Sequence, residues 1–394
     1  MINYDNLLSK AAVEMKPSGI RKFFDIAHTV EGVISLGVGE PDFKTPWKIR
    51  QTAIETLEKG KTVYTANAGL MELRKEISKY LERTIHTTYD PNKEIIVTVG
   101  GSEAIDISIR TIVEPGDEVL IVEPCFVCYS PIVSLSGGVP VPIATKSENE
   151  FRLTPQELKE KITDKTKLLI LPYPNNPTGA IMERKDLEAI AEVLRETDIL
   201  VITDEIYSEL TYTGKHCSIA EIDGMRERTI VINGFSKSFA MTGWRLGYMA
   251  GPKEMIKHSL KLHQYAIMSS PTTSQYAATV ALRCCEKDID KMRDEYDMRR
   301  RYLVDAFNKL GLDCFTPKGA FYVFPCIKST GLSSDEFCER LVYSKKVAVV
   351  PGTAFGESGE GYIRVSYAYS INHLREAIKR ITEFLEELKN ESNG

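Results

Sequence analysis

Short apolar runs alternate with longer amphipathic stretches through the middle of the chain. EIIVTV (94–99), EVLIV (118–122), KLLIL (167–171), ILVIT (199–203) and TIVIN (229–233) are rich in β-branched residues and nearly continuous in apolar character. That is the pattern of strands covered on both faces. Helical periodicity separates them, near Ser102–Val113, after Val122 and from about Arg184 onward. The alternation predicts an α/β fold: a large domain with a mostly parallel central sheet flanked by helices. After Pro252 the pattern shifts to long charged helical segments such as EKDIDKMRDEYDMRRRYLVDAFNKL, then to a short tail. In that tail GAFYVFP (319–325) and GYIRVSY (361–367) predict strands and Asp335–Ser344 a helix, with the N-terminal VISLGVG (33–39) expected to join them. The expected division is a large domain at 46–288 and a smaller α/β domain built from 1–45 and 289–394.

A chain of 394 residues is long for one hydrophobic core, which agrees with two domains, and 43% hydrophobic with 27% charged residues is ordinary globular composition. The formal net charge is −5 and no long Lys/Arg cluster occurs, so nucleic acid is not an expected partner. MINYDNLLSKAAVEMKPSG at the N-terminus lacks the cationic start and apolar core of a signal peptide, and no apolar run approaches bilayer length. These features predict a cytoplasmic protein with no membrane partner. Its eight cysteines are expected to act as small buried hydrophobes. Cys125 and Cys128 form one C-x-x-C, but no second pair answers it at zinc spacing and no H-E-x-x-H occurs, so no metal site is expected.

Ligands of open parallel sheets bind beyond the carboxyl ends of the strands, so the residues that follow each apolar run are the ones to read. EIIVTV runs into Gly100-Gly101-Ser102-Glu103, two glycines opening a helix with Ser102 expected at the capping position. Backbone N–H groups and the positive helix end there suit an anion, although a plain tight turn has the same sequence. KLLIL runs into PYPNNPTG (172–179), a stiff turn that would hold the Asn176 amide above the sheet edge. ILVIT runs into Asp204, Glu205 and Tyr207, where a carboxylate is either a cap or the partner of a cationic ligand atom. TIVIN opens VINGFSKSFAMTGWRLG (231–247), in which Lys237 and Arg245 are the only charged side chains. Burying an ammonium and a guanidinium without anions is costly, so the fold must expose both or receive a negative group from outside.

Together these endings set a phosphate cradle, an amide, a carboxylate, a phenol and an isolated amine on one rim. Pyridoxal 5'-phosphate matches that set: its aldehyde forms a Schiff base with a lysine, its ring nitrogen stays protonated beside an Asp, and glycine amides and an Arg hold its phosphate. A dinucleotide fits less well, because Gly37-Val38-Gly39 continues as Glu40-Pro41-Asp42 and the third glycine of G-x-G-x-x-G is missing.

From about Ser18 to Glu383 the sequence resembles the fold-type I, class I/II aminotransferases. The segments that carry the resemblance are SLGVGEPDF (35–43), YTANAGLMELR (64–74), TVGGSEA (98–104), EPCFVCY (123–129), NNPTGA (175–180), TDEIYSEL (203–210), NGFSKSFAMTGWRLGY (233–248), KGAFYVFP (318–325) and RVSYA (364–368). The resemblance implies that Lys237 is the Schiff-base lysine and the base that moves the substrate Cα proton, with Asp204 on the pyridine nitrogen. It implies further that Tyr207 and Asn176 bind the cofactor's phenolic oxygen and that Phe126 stacks on its ring. Arg245, Ser236, Gly101 and Ser102 would hold the phosphate. Tyr64 would reach the phosphate of a neighbouring subunit, which makes the expected partner a second copy of this chain in a homodimer with shared active sites. Arg364 would receive the substrate α-carboxylate with Gly37 nearby, and the implied reaction moves an amino group from an L-amino acid to a 2-oxo acid such as 2-oxoglutarate by a ping-pong route.

The donor is less legible. Some relatives place a lysine just after the double glycine; here that position is Ser102. SGIRKFF (18–24) instead brings Ile20, Phe23 and Phe24 toward the expected site mouth, with Arg21 and Lys22 pointing elsewhere, which leans toward aromatic or broad donors over aspartate. The chain is also similar to the N-acetyl-diaminopimelate aminotransferases of lysine biosynthesis, and a C–S β-lyase on the same scaffold would share Lys237 and Asp204.

Overall fold

The computed structural model describes residues 2–17, 19–20 and 29–393. After β1 (Ile34–Ser35), seven strands build the central sheet: β2 (Ile95–Thr98), β3 (Glu118–Glu123), β4 (Val139–Ala144), β5 (Thr166–Leu171), β6 (Leu200–Asp204), β7 (Thr229–Gly234) and β8 (Gly247–Ala250). Their spatial order is β2-β8-β7-β6-β5-β3-β4. From β4 to β7 all neighbours are parallel, and β8 runs antiparallel to both β7 and β2. The mostly parallel sheet expected from the apolar runs is present, and the buried stretches of β5, β6 and β7 explain their composition, since helices cover both faces.

Two strands carried no recognisable signal. β4 is the sheet's edge, so it tolerates Pro140 and Pro142 and exposes Val139, Pro142 and Ala144. β8 begins at Gly247, the last residue of the run that holds Lys237, and is only Gly247–Ala250 long.

The remaining strands are β9 (Tyr322–Val323), β10 (Val347–Ala348), β11 (Val350–Pro351) and β12 (Ile363–Ser366). β11, β12 and β9 form an antiparallel sheet, and β1 pairs in parallel with β10, so the N-terminal segment does join the tail. GAFYVFP and GYIRVSY are shorter as strands than their patterns suggest. Only Tyr322–Val323 and Ile363–Ser366 find ladder partners, while Gly319 bridges singly to Thr211. The Glu286–Lys309 helix buries Ile289, Met292, Tyr296, Leu303 and Phe307, a stripe at helical spacing on an otherwise charged helix. Met292, Tyr296, Leu303 and Phe307 of that stripe share one core with Leu36, Phe321, Val365 and Phe384, and also with Tyr207, Leu210 and Ala240 from loops of the large sheet.

Among the described residues no helix is long and apolar enough to cross a membrane, and no group of three metal-binding side chains occurs. All eight cysteines are free.

The helix after β2 begins at Gly100, earlier than the sequence suggests, and its N-cap is Val99. Ser102 is therefore inside the first turn and not the cap. The vacant capping role falls to Glu103, whose Oε2 accepts the Val99 N–H at 2.5 Å. This start packs directly on β8: a Cβ at Gly247 would lie 2.6 Å from the Gly100 carbonyl carbon, and Gly100 itself has φ +76°. A Gly247→Ala substitution forces backbone against backbone, with no flexible side chain to yield. It should cost on the order of 2 kcal/mol or more of stability, read as a lower denaturant midpoint at unchanged m-value.

Candidate active site

A cavity of about 420 Å³ opens where β5, β6 and β7 end, roofed by Tyr322, Arg364 and the Val38–Glu40 segment. Of the residues picked out from the sequence, Lys237, Asp204, Tyr207, Asn176, Phe126, Ser236, Gly101, Ser102, Arg245, Arg364 and Ile20 all line it. Gly37 meets it through Arg364, and Tyr64 does not line it; Phe23, Phe24, Arg21 and Lys22 lie outside the described residues.

Lys237 follows β7 in a tight turn, and its Nζ donates to the Gly39 carbonyl at 2.7 Å. No carboxylate among the described residues forms an ion pair with it. Burial pulls the amine's pKa down to about 8; Glu40 opposes the shift, while Arg364 and Arg245 add to it. An amine so placed is half neutral near pH 8, far below the ordinary lysine range, and the neutral form is the one a nucleophile or proton acceptor requires.

Asp204 ends β6 and is 7% exposed. Burial raises its pKa, against hydrogen bonds from the Tyr129 hydroxyl to Oδ2 at 2.7 Å and from the Ile206 N–H to Oδ1 at 3.2 Å. A carboxylate in this position gains most from a cationic N–H brought in by a ligand. The Tyr207 hydroxyl lies 2.8 Å from that of Tyr322, and burial holds its pKa far above the usual phenol value, so it remains a protonated donor. In the turn after β5 the two asparagines divide the work. Asn175 is buried and ties the loop to the Pro124 and Pro172 carbonyls and to Thr178, which leaves Asn176 to face the cavity.

Arg364, from β12, is 2% exposed. Its Nη1 donates to Asn176 Oδ1 at 2.8 Å and its Nη2 to the Gly37 carbonyl, while the guanidinium carbon lies 4.5 Å from the Tyr322 ring centre. Nε is buried without a partner. A buried guanidinium that meets only neutral acceptors, with one nitrogen idle, is matched to a carboxylate from outside.

Arg245 takes the left-handed conformation (φ 52°), which directs its side chain back over Gly100, within 3.0 Å of where a Cβ there would stand. It donates to the Thr242 carbonyl and has no carboxylate partner among the described residues. With Gly101, Ser102 and Ser236 it surrounds the helix start at one end of the cavity, and Phe126 lines the same cavity beside Tyr129, ring centres 6.2 Å apart.

Sequence reasoning missed Tyr129, Tyr322, Val38, Glu40 and Thr242. Tyr129 closes the EPCFVCY segment three residues after Phe126 and begins the helix Tyr129–Leu135, a position that could have marked it. Tyr322 gave no signal, since its place opposite Tyr207 depends on the tail folding over the large sheet.

Residues 31–381 match the family model described as aminotransferase class I and II. The chain belongs to that family. It is 53% identical over 378 residues to a putative aminotransferase (YugH) of Bacillus subtilis, covering 96% of this chain and 98% of that one. It is 50% identical to an aspartate aminotransferase of Pyrococcus abyssi, with 95% and 97% covered. The crystal structure of an aromatic aminotransferase from Pyrococcus horikoshii superposes with a TM-score of 0.90 at 47% identity, over 93% of this chain and 99% of that one. The protein is therefore a transaminase of the pyridoxal-phosphate-dependent kind. The residues present fit that cofactor: an unpaired amine, a buried carboxylate and an unpaired guanidinium at a helix start share one cavity.

The depressed lysine carries a testable consequence. Labelling of the cofactor-free protein with an amine-directed reagent should show Lys237 gaining reactivity through pH 8, because the neutral amine accumulates above that value; ordinary surface lysines should follow only near 10.5. Mass-spectrometric peptide mapping reads the site. An inflection at Lys237 no lower than that of the surface lysines would show that burial does not act on it as described.

Proposed function

We propose that Lys237 joins the cofactor aldehyde, that Asp204 holds the ring nitrogen's proton, and that Tyr207 and Asn176 bind the phenolic oxygen. Arg245, Ser236, Gly101 and Ser102 hold the phosphate, and Phe126 covers the ring. When bound, pyridoxal phosphate supplies an aldehyde that condenses with amines and a ring that accepts electrons from the substrate Cα–H bond. Lys237 accepts that proton and returns it, a task suited to an amine whose pKa burial has brought to about 8. Tyr129 donates to Asp204 and keeps the carboxylate oriented. Arg364 takes the α-carboxylate of the incoming amino acid, and the same fork then takes that of the 2-oxo acid, so that both substrates use one site in turn.

The donor we propose is an aromatic or other uncharged L-amino acid. The observation that carries this is the charge count of the cavity. Lys237, Arg245 and Arg364 are each assigned to the aldehyde, the phosphate and the α-carboxylate. The described lining residues that the assignment leaves without a role carry one charge, the Glu40 carboxylate, and are otherwise neutral, Ile20, Val38, Ile206 and Tyr322 among them. A distal carboxylate finds no free cation among these described residues, whereas an aromatic ring finds apolar walls. Tyr64 is 79% exposed, beside Val63 at 74%, and Tyr265 is 94% exposed. That apolar surface supports a homodimer in which Tyr64 serves the neighbouring site.

A panel of amino donors, followed through the cofactor's absorbance in the half-reaction, tests the donor. Phenylalanine or tyrosine should exceed aspartate in kcat/KM by at least about tenfold, the worth of one unanswered charged hydrogen bond. A preference for aspartate would overturn the donor assignment. Arg364→Ala should raise KM for every donor alike, by about 100-fold or more on loss of a bidentate contact. A loss confined to dicarboxylates would move Arg364 to the distal end of the substrate.

A further inference from the structure

His263 and Glu103 form a buried pair that the proposed chemistry leaves unused. His263, on the Lys253–Ala266 helix, is 0% exposed, and its Nδ1 lies 2.6 Å from Glu103 Oε1. At that distance the two are directly hydrogen-bonded. The other Glu103 oxygen accepts the Val99 N–H at 2.5 Å. Val99 is the bend at which β2 leaves the sheet, with φ −78° and ψ 71°, and it is followed at once by Gly100 at φ +76°. Thr98 secures the same bend from the other side, its hydroxyl donating to the Gly100 carbonyl at 2.9 Å. One chain of hydrogen bonds thus runs from a neighbouring helix, through two buried side chains, to the backbone that aims Gly101 and Ser102.

An acid in the first turn of a helix is stabilising by itself. At an anion-binding turn it brings a conflict, since a bare carboxylate next to Ser102 would repel a phosphate dianion. Both of its oxygens are instead engaged on the side away from the cavity. Glu103 does not line the cavity, while its neighbours Gly101 and Ser102 do. A purely structural filler could have been an apolar pair, which carries no desolvation cost and leaves no orphan; here the His263 Nε2 remains buried without a hydrogen bond.

We propose that His263 and Glu103 are positioning residues for cofactor binding: a strut that fixes the Val99–Gly100 bend and directs the Glu103 charge away from the phosphate. The proposal rests on the assignment of Gly101, Ser102 and Arg245 to that phosphate.

The test titrates cofactor-free His263→Phe and Glu103→Leu proteins with pyridoxal phosphate and, separately, with pyridoxal, which lacks the phosphate. The strut predicts a dissociation constant for pyridoxal phosphate raised about tenfold in each variant, with that for pyridoxal changed less than about twofold. Equal weakening of both ligands, or unchanged affinity with only a lower Tm of the cofactor-free protein, would reduce the pair to core packing and overturn the proposal. Should His263→Phe fail to fold, Glu103→Leu decides alone, since it keeps a side chain of similar size and removes both acceptors. Arg245→Leu separates the two assignments. If it too leaves the ratio of the affinities unchanged, the phosphate is held elsewhere and the cradle itself is misassigned. If it lowers phosphate-dependent affinity while the Glu103 and His263 variants do not, only the strut fails.

Discussion

Everything in this site follows from three cations gathered around one cavity with too few anions of the protein's own. Lys237 rests on a carbonyl, Arg364 on a carbonyl and an amide, and Arg245 on a carbonyl. None has a carboxylate partner among the described residues, and burial weakens the charged forms of Lys237 and Arg364. Such an arrangement stores unfavourable electrostatics in the folded chain, and the surrounding cores must hold it together. On the proposed assignment its compensation arrives with the ligands, a phosphate for Arg245 and a carboxylate for Arg364, while the Lys237 amine is left free to react as a neutral group.

The fold supplies the rigidity this requires by assembling the site from separate bodies of structure. The sheet contributes Asp204, Lys237 and the helix start at Gly100, while the tail contributes Tyr322 and Arg364. Between them runs the Gly37–Glu40 segment, tethered to the tail through β1 and β10. Gly39 sits where all three meet. Its carbonyl receives Lys237, and a Cβ on it would stand 2.3 Å from the Tyr322 hydroxyl. The bare backbone there lets amine, phenol and main chain occupy a space that any side chain would fill.

How much of this the sequence disclosed depended on whether the signal was local. The parallel strands were legible because burial on both faces leaves an unbroken apolar run, and the site residues at their ends were legible because each follows such a run directly. β4 and β8 were not: one is an edge that accepts prolines, the other is four residues long and held by close backbone packing. Ser102 was misread as a cap because the chain turns into its helix two residues earlier, at a bend fixed by Glu103 and Val99. Tyr322 and Glu40 were invisible for the same reason that β9 shrank to two residues: their positions are set by contacts across the whole fold, not by local periodicity.

The state of Arg364 shows how such a site can be held ready without being closed. Each terminal nitrogen spends one of its two N–H groups on a neutral acceptor, so an arriving carboxylate can be taken by the N–H groups left over or by exchange with an acceptor. Exchange replaces a neutral oxygen of Asn176 or Gly37 with an anionic one and turns an ordinary hydrogen bond into a charge-assisted one, roughly twice as strong, while Nε gains a partner. The amide that such an exchange releases belongs to the residue proposed for the cofactor's phenolic oxygen, and the carbonyl to the segment that holds Lys237. On that proposal, substrate binding at Arg364 would be linked, through Asn176 and the Gly37–Gly39 backbone, to the Gly39 carbonyl that receives Lys237.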